Sequence, residues 1–302
     1  MLLSVVIITY NEEANIGRTL ASVQPLIADG KGEIIVVDSG STDRTVPIAK
    51  SYGAKVFVED WKGYAAQKNS AIDKAECDWI LSLDADESLD DGAARTIALL
   101  LSKPQGATQT QIENLTRSLG GNSLDTLEAV MAYEEVFDNS KTKPAEEHPI
   151  SLSGYWFPRK NYFLGRWMKH GGFWPDHKLR LFRREWGRFE NRFVHETLKV
   201  DGYTARLKGG ALIHDSYPSL SDYIEHMNRY SSLGAEMVLA NGKVRFGFIN
   251  IVLRPLFTFI YNYFFRLGFL DGREGLLLHL YHAVYVSWKY AKAWELSRNR
   301  LD

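Results

Sequence analysis

Trp79-Ile80-Leu81-Ser82-Leu83-Asp84-Ala85-Asp86-Glu87 decides how this chain is read. Its first five residues form an apolar run of the length and type found in a strand buried on both faces. Three acids follow, where the strand ends and the chain must turn. In an open parallel sheet, ligands collect in the crevice beyond the carboxyl ends of the strands. Packing gives no reason to place acids there. A divalent cation does, because hard Mg²⁺ or Mn²⁺ takes carboxylate oxygens and shares itself with substrate phosphates. The competing reading is a solvated turn opening the next helix, since acids suit a helix N-terminus.

The eighty residues before this stretch favour a site. Leu2 to Thr9 reads as a continuous apolar strand, and Asn15 to Val23 carries Ile16, Leu20 and Val23 at helical spacing. Glu33 to Asp38 is a second strand. Ser41-Thr42-Asp43 offers N-cap residues for a helix bearing Val46, Ile48 and Ala49. Lys55 to Val58 is a short third strand, Tyr64 to Ala75 a helix, and Asp78 to Leu83 the fourth strand. Apolar strands alternating with helices predict an α/β fold whose central, mostly parallel sheet is covered on both faces. The first strand ends in Thr9-Tyr10-Asn11-Glu12-Glu13 and the second in Asp38-Ser39-Gly40-Ser41-Thr42-Asp43. With the acids after the fourth, these ends outline a nucleotide-sized site. No G-x-G-x-x-G follows the first strand and no G-x-x-x-x-G-K-[ST] occurs, which argues against dinucleotide and P-loop binding.

Ser4 to Asn11, Val36 to Thr45 and Leu83 to Glu87 together resemble glycosyltransferase family 2, and the likeness continues through Gly154 to Arg184, Val194-His195-Glu196 and Ile213 to Tyr217. It is nearest in kind to the bacterial branch that contains lipopolysaccharide-core β-glucosyltransferases. The resemblance implies a GT-A fold, Rossmann-like, and an inverting transfer from a nucleotide sugar, UDP-glucose first, to an anionic glycan or glycolipid of the cell envelope. It also implies that Thr9, Asn11, Glu12 and Asp38 line the nucleoside pocket. Transfer to a polyisoprenyl phosphate is a second reading, and a non-catalytic glycan-binding scaffold a third.

Charge assigns the remaining roles. A nucleoside diphosphate leaves with growing negative charge. Mg²⁺ or Mn²⁺ held by Asp86, with Asp84 near the ribose or a metal-bound water, would neutralise it. Lys68 would reach the diphosphate; its alternative is a solvated surface lysine. The attacking hydroxyl needs a carboxylate to take its proton. Glu196 is favoured, between apolar Phe193-Val194 and Thr197-Leu198, where partial burial would strengthen it as a base. Asp176 is the second choice, Glu190 a third, and an ion pair with an arginine the structural alternative for Glu196. His214, at the end of the apolar run Ala211-Leu212-Ile213, is a candidate further metal ligand or a satisfied hydrogen-bonding histidine.

Thirty-six basic and 37 acidic residues leave the chain near neutral, so no global basic field points to nucleic acid. Residues 159–192 nonetheless carry ten basic residues against three acidic ones, with Trp and Phe interleaved. Arginines among aromatics suit an anionic glycan. Arg180 and Arg183 have a structural alternative, pairing with acids in the core. A single cysteine, Cys77, excludes an intrachain disulfide and reads as a small buried hydrophobe. Met1 leads directly into the first strand, so no signal peptide is expected.

From Phe246 to Phe269 the chain is rich in Phe, Tyr, Leu and Ile, yet Arg254 and Arg266 interrupt it, leaving a charge-free stretch too short to span a bilayer. Leu276 to Trp288 is a second apolar helix. Such segments suit helices lying in a membrane interface. The alternative is a helical lobe with apolar surface left for a homodimer. The expected location is cytoplasmic, peripheral on the inner face of the cytoplasmic membrane. Residues 103–150 depart from the family pattern and read as a helical insertion; Ser123 lies in a carrier-protein-like helix and Asn114 in a glycosylation sequon. The expected organisation is therefore 1–102, a nucleotide-sugar half; 103–150, the insertion; 151–218, an acceptor half; and 219–302, a C-terminal helical region.

Overall fold

The strands β1 (Leu3–Thr9), β2 (Gly32–Asp38), β3 (Lys55–Val58) and β4 (Trp79–Asp84) lie parallel in the order β3-β2-β1-β4. The computed structural model describes residues 2–102, 152–190, 196–207, 209–240, 242 and 247–298. The expected insertion at 103–150, with Asn114 and Ser123, lies outside the described residues, as does His195.

Alternation along each strand builds two cores. Val5 and Ile7 of β1, Ile34 and Val36 of β2, and Leu81 and Leu83 of β4 face one layer, which α1 (Ile16–Ile27) covers with Ile16, Leu20 and Val23. The helices α2 (Thr45–Ser51) and α4 (Asp91–Ser102) add Ala49 and Ile97 to that layer. Val6, Ile35, Val37 and Ile80 face the other layer, where α3 (Tyr64–Asp73) packs Ala65, Ala71 and Ile72. A residue period of two against helices on both sides is the reason these strands read as uninterrupted apolar runs. Cys77 is buried, as a small hydrophobe would be.

Beyond β4 the sheet becomes mixed. Its further strands are β5 (Glu87–Leu89), β6 (Leu152–Phe163), β7 (Arg166–Trp167), β8 (Asp176–Arg183), β11 (Tyr203–Arg206) and β12 (Leu212–Tyr217). The path runs β3-β2-β1-β4-β8-β6-β12-β5, with β7 and β11 also pairing β6, and β8 is antiparallel to β4. A separate hairpin pairs β9 (Gly187–Glu190) with β10 (Thr197–Val200). Three local expectations change. The turn after Asp86 enters β5 before α4 begins, α3 stops at Asp73 rather than Ala75, and β12 continues to Tyr217, so His214 lies within a strand rather than at its end.

The chain divides into two compact units, one of Met1–Arg159, His177–Asn191 and Thr197–Ile213, the other of Lys160–Asp176, Arg192–Glu196 and His214–Asp302. In the second, α5 (Leu220–Ala240) packs along α7 (Gly272–Arg298), and Lys292 Nζ donates to the Asn228 carbonyl at 2.7 Å and to Ser231 Oγ at 2.8 Å. Before α7 runs a helical rod: a wide i→i+5 turn at Ile249–Leu253, the helix α6 (Arg254–Ile260), and a second wide turn at Tyr261–Phe265. No described helix is long and apolar enough to cross a membrane.

Candidate active site

The order β3-β2-β1-β4 sends the chain away in opposite directions after β1 and β4, which opens a crevice at their carboxyl ends. Thr9 and Asp38 are register partners there. Thr9 Oγ1 and Ser39 Oγ are both buried without a hydrogen-bond partner among the described residues. Buried hydroxyls are nearly always satisfied. Two orphaned ones at neighbouring strand ends mark a place where a polar ligand belongs.

The loops after β1 and β2 are stitched to each other. Asn11 takes a left-handed backbone at φ 53°, a conformation asparagine tolerates better than most residues. Its amide donates to Ser41 Oγ at 2.8 Å, and its Oδ1 accepts the Thr42 N–H at 2.8 Å. Asp38 is almost wholly buried. Its Oδ2 accepts the Gly40 and Ser41 amides at 2.9 and 2.8 Å, and its Oδ1 accepts Ser41 Oγ. Asp43 Oδ1 accepts the amide of Thr45, the first residue of α2, at 2.9 Å, while its Oδ2 accepts the Glu13 amide. Asn11 and Asp38 thus shape the crevice wall through their own loops.

Glu12 donates its amide to Thr45 Oγ1 at 2.7 Å, and its carboxylate accepts Asn15 Nδ2 at 2.9 Å. Burial raises its pKa, the Asn15 bond opposes that, and the charges of Asp86, Asp43 and Asp84 raise it further. Negative charge therefore accumulates at this strand edge. Asp86 is half-buried in the turn after β4. That turn is held on α1 by Thr19 Oγ1, which donates to the Ala85 carbonyl at 2.7 Å, and by Arg18, which reaches the Asp86 carbonyl at 3.5 Å.

Asp84 has a different setting. Lys68 Nζ lies 2.7 Å from its Oδ1 and Arg180 Nη2 lies 2.6 Å from its Oδ2. Burial alone would raise its pKa, but Arg180 and Lys68 hold the carboxyl well below the usual carboxylate range. Arg180 also binds Glu87 Oε1 at 2.8 Å, and Arg159 binds the same oxygen at 2.8 Å. Lys68 is only 3% exposed and lies over the Phe189 ring, so it is no solvated surface lysine. Arg180 follows its structural alternative and pairs with acids inside the fold. Lys68, Arg180 and Arg159 thus meet the two acids Asp84 and Glu87 directly behind the acidic turn.

The second unit holds the other candidates. Asn161 Nδ2 donates to Asp176 Oδ2 at 3.1 Å, which turns Asn161 Oδ1 toward His214 Nδ1 at 2.9 Å. An amide oxygen only accepts, so this contact is a hydrogen bond in the tautomer that carries its hydrogen on Nδ1. Ser216 Oγ also lies 2.7 Å from Nδ1. One asparagine therefore links Asp176 and His214. Glu196 is half-buried directly before β10 and belongs to the same unit.

Sequence context assigns no individual role to Arg159, Glu87, Ser39, Asn161 or Ser216, although Glu87 is one of the three acids of the turn, Arg159 belongs to the basic stretch 159–192 and Ser39 follows Asp38 at a strand end; Asn161 has no such signal, since its partners are distant in sequence. Among the described residues, no three of His, Cys, Asp or Glu converge as a ready-made metal cage. The donors at the turn are carboxylate oxygens in a field of excess negative charge. That suits a hard cation which keeps substrate phosphate oxygens and water among its ligands.

The chain is similar in sequence to known proteins. A lipopolysaccharide core biosynthesis glycosyltransferase, LpsC, from Rhizobium meliloti is 27% identical over 97% of this chain and 92% of its own length. An uncharacterized glycosyltransferase from Rickettsia typhi is 29% identical over 98% of this chain and 87% of its own. A solved structure of glucosyl-3-phosphoglycerate synthase from Mycobacterium tuberculosis, in complex with Mn²⁺, UDP-glucose and phosphoglyceric acid, is 30% identical over 33% of this chain and 38% of that chain, with a TM-score of 0.28. The family described as glycosyl transferase family 2 matches residues 4–188. That match takes in β1 to β4, the acidic turn and the Arg180 strand, well over half of the sequence, and the α/β architecture is the GT-A one expected of it: the chain belongs to glycosyltransferase family 2.

Proposed function

We propose that this enzyme moves a hexose from a nucleotide sugar to a lipopolysaccharide-core or related cell-envelope glycan, with inversion, on the inner face of the cytoplasmic membrane. UDP-glucose is the first donor to test. The observation that carries the reading is the acidic turn at Asp84-Ala85-Asp86, beside two orphaned hydroxyls at the ends of β1 and β2. The core-glycan acceptor is supported by the relative named for lipopolysaccharide core biosynthesis, which aligns over nearly the whole chain.

In this reading Thr9 and Ser39 hydrogen-bond the nucleoside or its phosphates, and Asn11, Glu12 and Asp38 shape that pocket. Asp86, with His214 as a further ligand, would hold Mg²⁺ or Mn²⁺, which would supply positive charge against the diphosphate leaving group. Asp84 lies near the ribose or a metal-bound water, and its contacts to Lys68 and Arg180 hold it in place. Glu196 takes the proton of the acceptor hydroxyl as that oxygen bonds to the anomeric carbon and the nucleoside diphosphate departs. Asp176, tied to Asn161, is the alternative base.

Three variants test the reading. Asp86→Asn should abolish Mn²⁺-dependent UDP binding in calorimetry while the thermal unfolding curve stays in place. Glu196→Gln should lower the transfer rate by about 10²–10⁴-fold with UDP affinity kept. Unchanged metal-dependent binding in the first sinks the metal role. An active Glu196→Gln beside an inactive Asp176→Asn hands the base to Asp176.

A further inference from the structure

The rod before α7 exposes two apolar stripes. Every fourth residue from Phe248 to Phe264 is exposed, and so is every fourth residue from Ile249 to Phe265. All are aliphatic or aromatic; Phe257 is 67% exposed and Phe265 75%. An α-helix carries each fourth residue about 40° around its axis. The wide turns at Ile249–Leu253 and Tyr261–Phe265 rotate it the other way. The stripes therefore stay on one side of the rod for roughly 27 Å. The opposite side is occupied: Pro255 is buried, and Ser287 of α7 donates to the Ile251 carbonyl at 3.0 Å. Phe269 and Leu270 in the next turn, and Leu276 and Leu280 on α7, are exposed as well. At roughly 200 Å² for a fully exposed aromatic or large aliphatic side chain, the face amounts to on the order of 1,000 Å², whereas monomers seldom expose more than a few hundred.

The exposed charged residues of this stretch have one sign: Arg254, Arg266 and Arg273 are exposed, Arg254 lying over the Tyr290 ring of α7. The two acids of the same stretch are engaged elsewhere: Asp271 is buried, accepting the His170 amide at 2.8 Å, and Glu274 pairs with Arg166 at 3.5 Å. A second copy related by a two-fold axis would present the same arginines, with no exposed acid of this stretch to answer them. Anionic head groups answer them directly. With no described helix able to cross a bilayer, the rod is suited to lie along the surface.

The geometry points to the outer face of residues 248–265 as a docking surface for a bilayer containing anionic lipid, with the phenylalanines in the acyl boundary and the arginines among the phosphates. Docking there brings the enzyme to a lipid-borne acceptor, and in that respect it rests on the function proposed above. Flotation of the full chain with vesicles of phosphatidylcholine, alone or mixed in equal parts with phosphatidylglycerol, tests it. Full-length protein should float with the mixed vesicles and much less with the neutral ones. Phe257→Ser combined with Phe265→Ser should lower partitioning by about tenfold for each phenylalanine lost, with an unchanged circular dichroism melt. Phe248→Ser with Leu256→Ser, on the other stripe, should weaken it independently. Protein that ignores both vesicles overturns the idea, and so does a folded double variant that floats like the parent. A dimer that ignores vesicles and becomes monomeric in the double variant assigns the face to a second copy instead. Protein that floats but fails to bind UDP supports docking while sinking the transfer reading.

Discussion

Arg180→Met is the perturbation that most directly tests how the acidic turn is held. The substitution keeps an aliphatic stem but removes the guanidinium that contacts Asp84 at 2.6 Å and Glu87 at 2.8 Å. The Glu87 side chain is 0% exposed and that of Arg180 8%, so water does not screen this pair. Removing one partner of a buried pair costs about 3–5 kcal/mol. Glu87 keeps Arg159 and Asp84 keeps Lys68, which places the expected cost near the lower end, about 3 kcal/mol. For a body of this size that corresponds to a fall in Tm of about 6–12 °C. Urea unfolding followed by tryptophan fluorescence, with calorimetry as the second probe, measures it. Glu87→Gln should cost a similar amount, and the double variant less than the sum of the two, with a coupling on the order of 2 kcal/mol. The dependence on pH has a definite sign. Asp84 titrates below its unfolded value of about 3.9, so its stabilising contribution is present above that pH and is lost as pH falls through the folded value. The deficit of Arg180→Met should therefore shrink in acid. A variant that melts within about 1 °C of the parent, or single effects that add without coupling, would refute the picture of a buried cluster holding the turn.

Thr9→Val should leave the fold as stable as the parent or slightly more so, because it removes a buried hydroxyl without a described partner, while weakening UDP binding by about tenfold in calorimetry; equal loss of both would make the hydroxyl structural. Glu59 sits beside Lys74 Nζ at 2.5 Å, and the hydrogen bonds from Lys74, Ser70 and Lys62 lower its pKa to about 2. Its stabilising contribution is then full above the unfolded value of about 4.3 and lost as pH falls toward 2. Glu59→Gln should accordingly cost on the order of 2 kcal/mol at neutral pH and little in acid, read from urea midpoints. Asn161→Leu removes the Oδ1 acceptor that lies 2.9 Å from His214 Nδ1 and favours hydrogen on that nitrogen. Long-range ¹⁵N–¹H spectra should show the ring moving toward the Nε2–H tautomer, and an unaltered tautomer would discard Asn161 as its positioning residue.

Local pattern was enough for much of this protein. The period-two burial of β1, β2 and β4, the helices between them and the acids at the end of β4 follow from neighbours within a few residues, because strand pleat and helix pitch impose their spacing on the sequence itself. The three short motifs also sufficed to identify the family, since each is contiguous. The apolar, arginine-interrupted tail was legible as composition, but its exposed stripes depend on which side α7 covers and on two wide turns. The partners of the site residues were not legible. Asp84 is held by Lys68 from a helix and by Arg180 from a strand 96 positions away. Asn161 joins His214 across 53 positions, and Ser39 matters because nothing described satisfies its hydroxyl. Sequence spacing fixes which face of an element a residue occupies. Only the packed sheet decides which distant charge or amide meets it there.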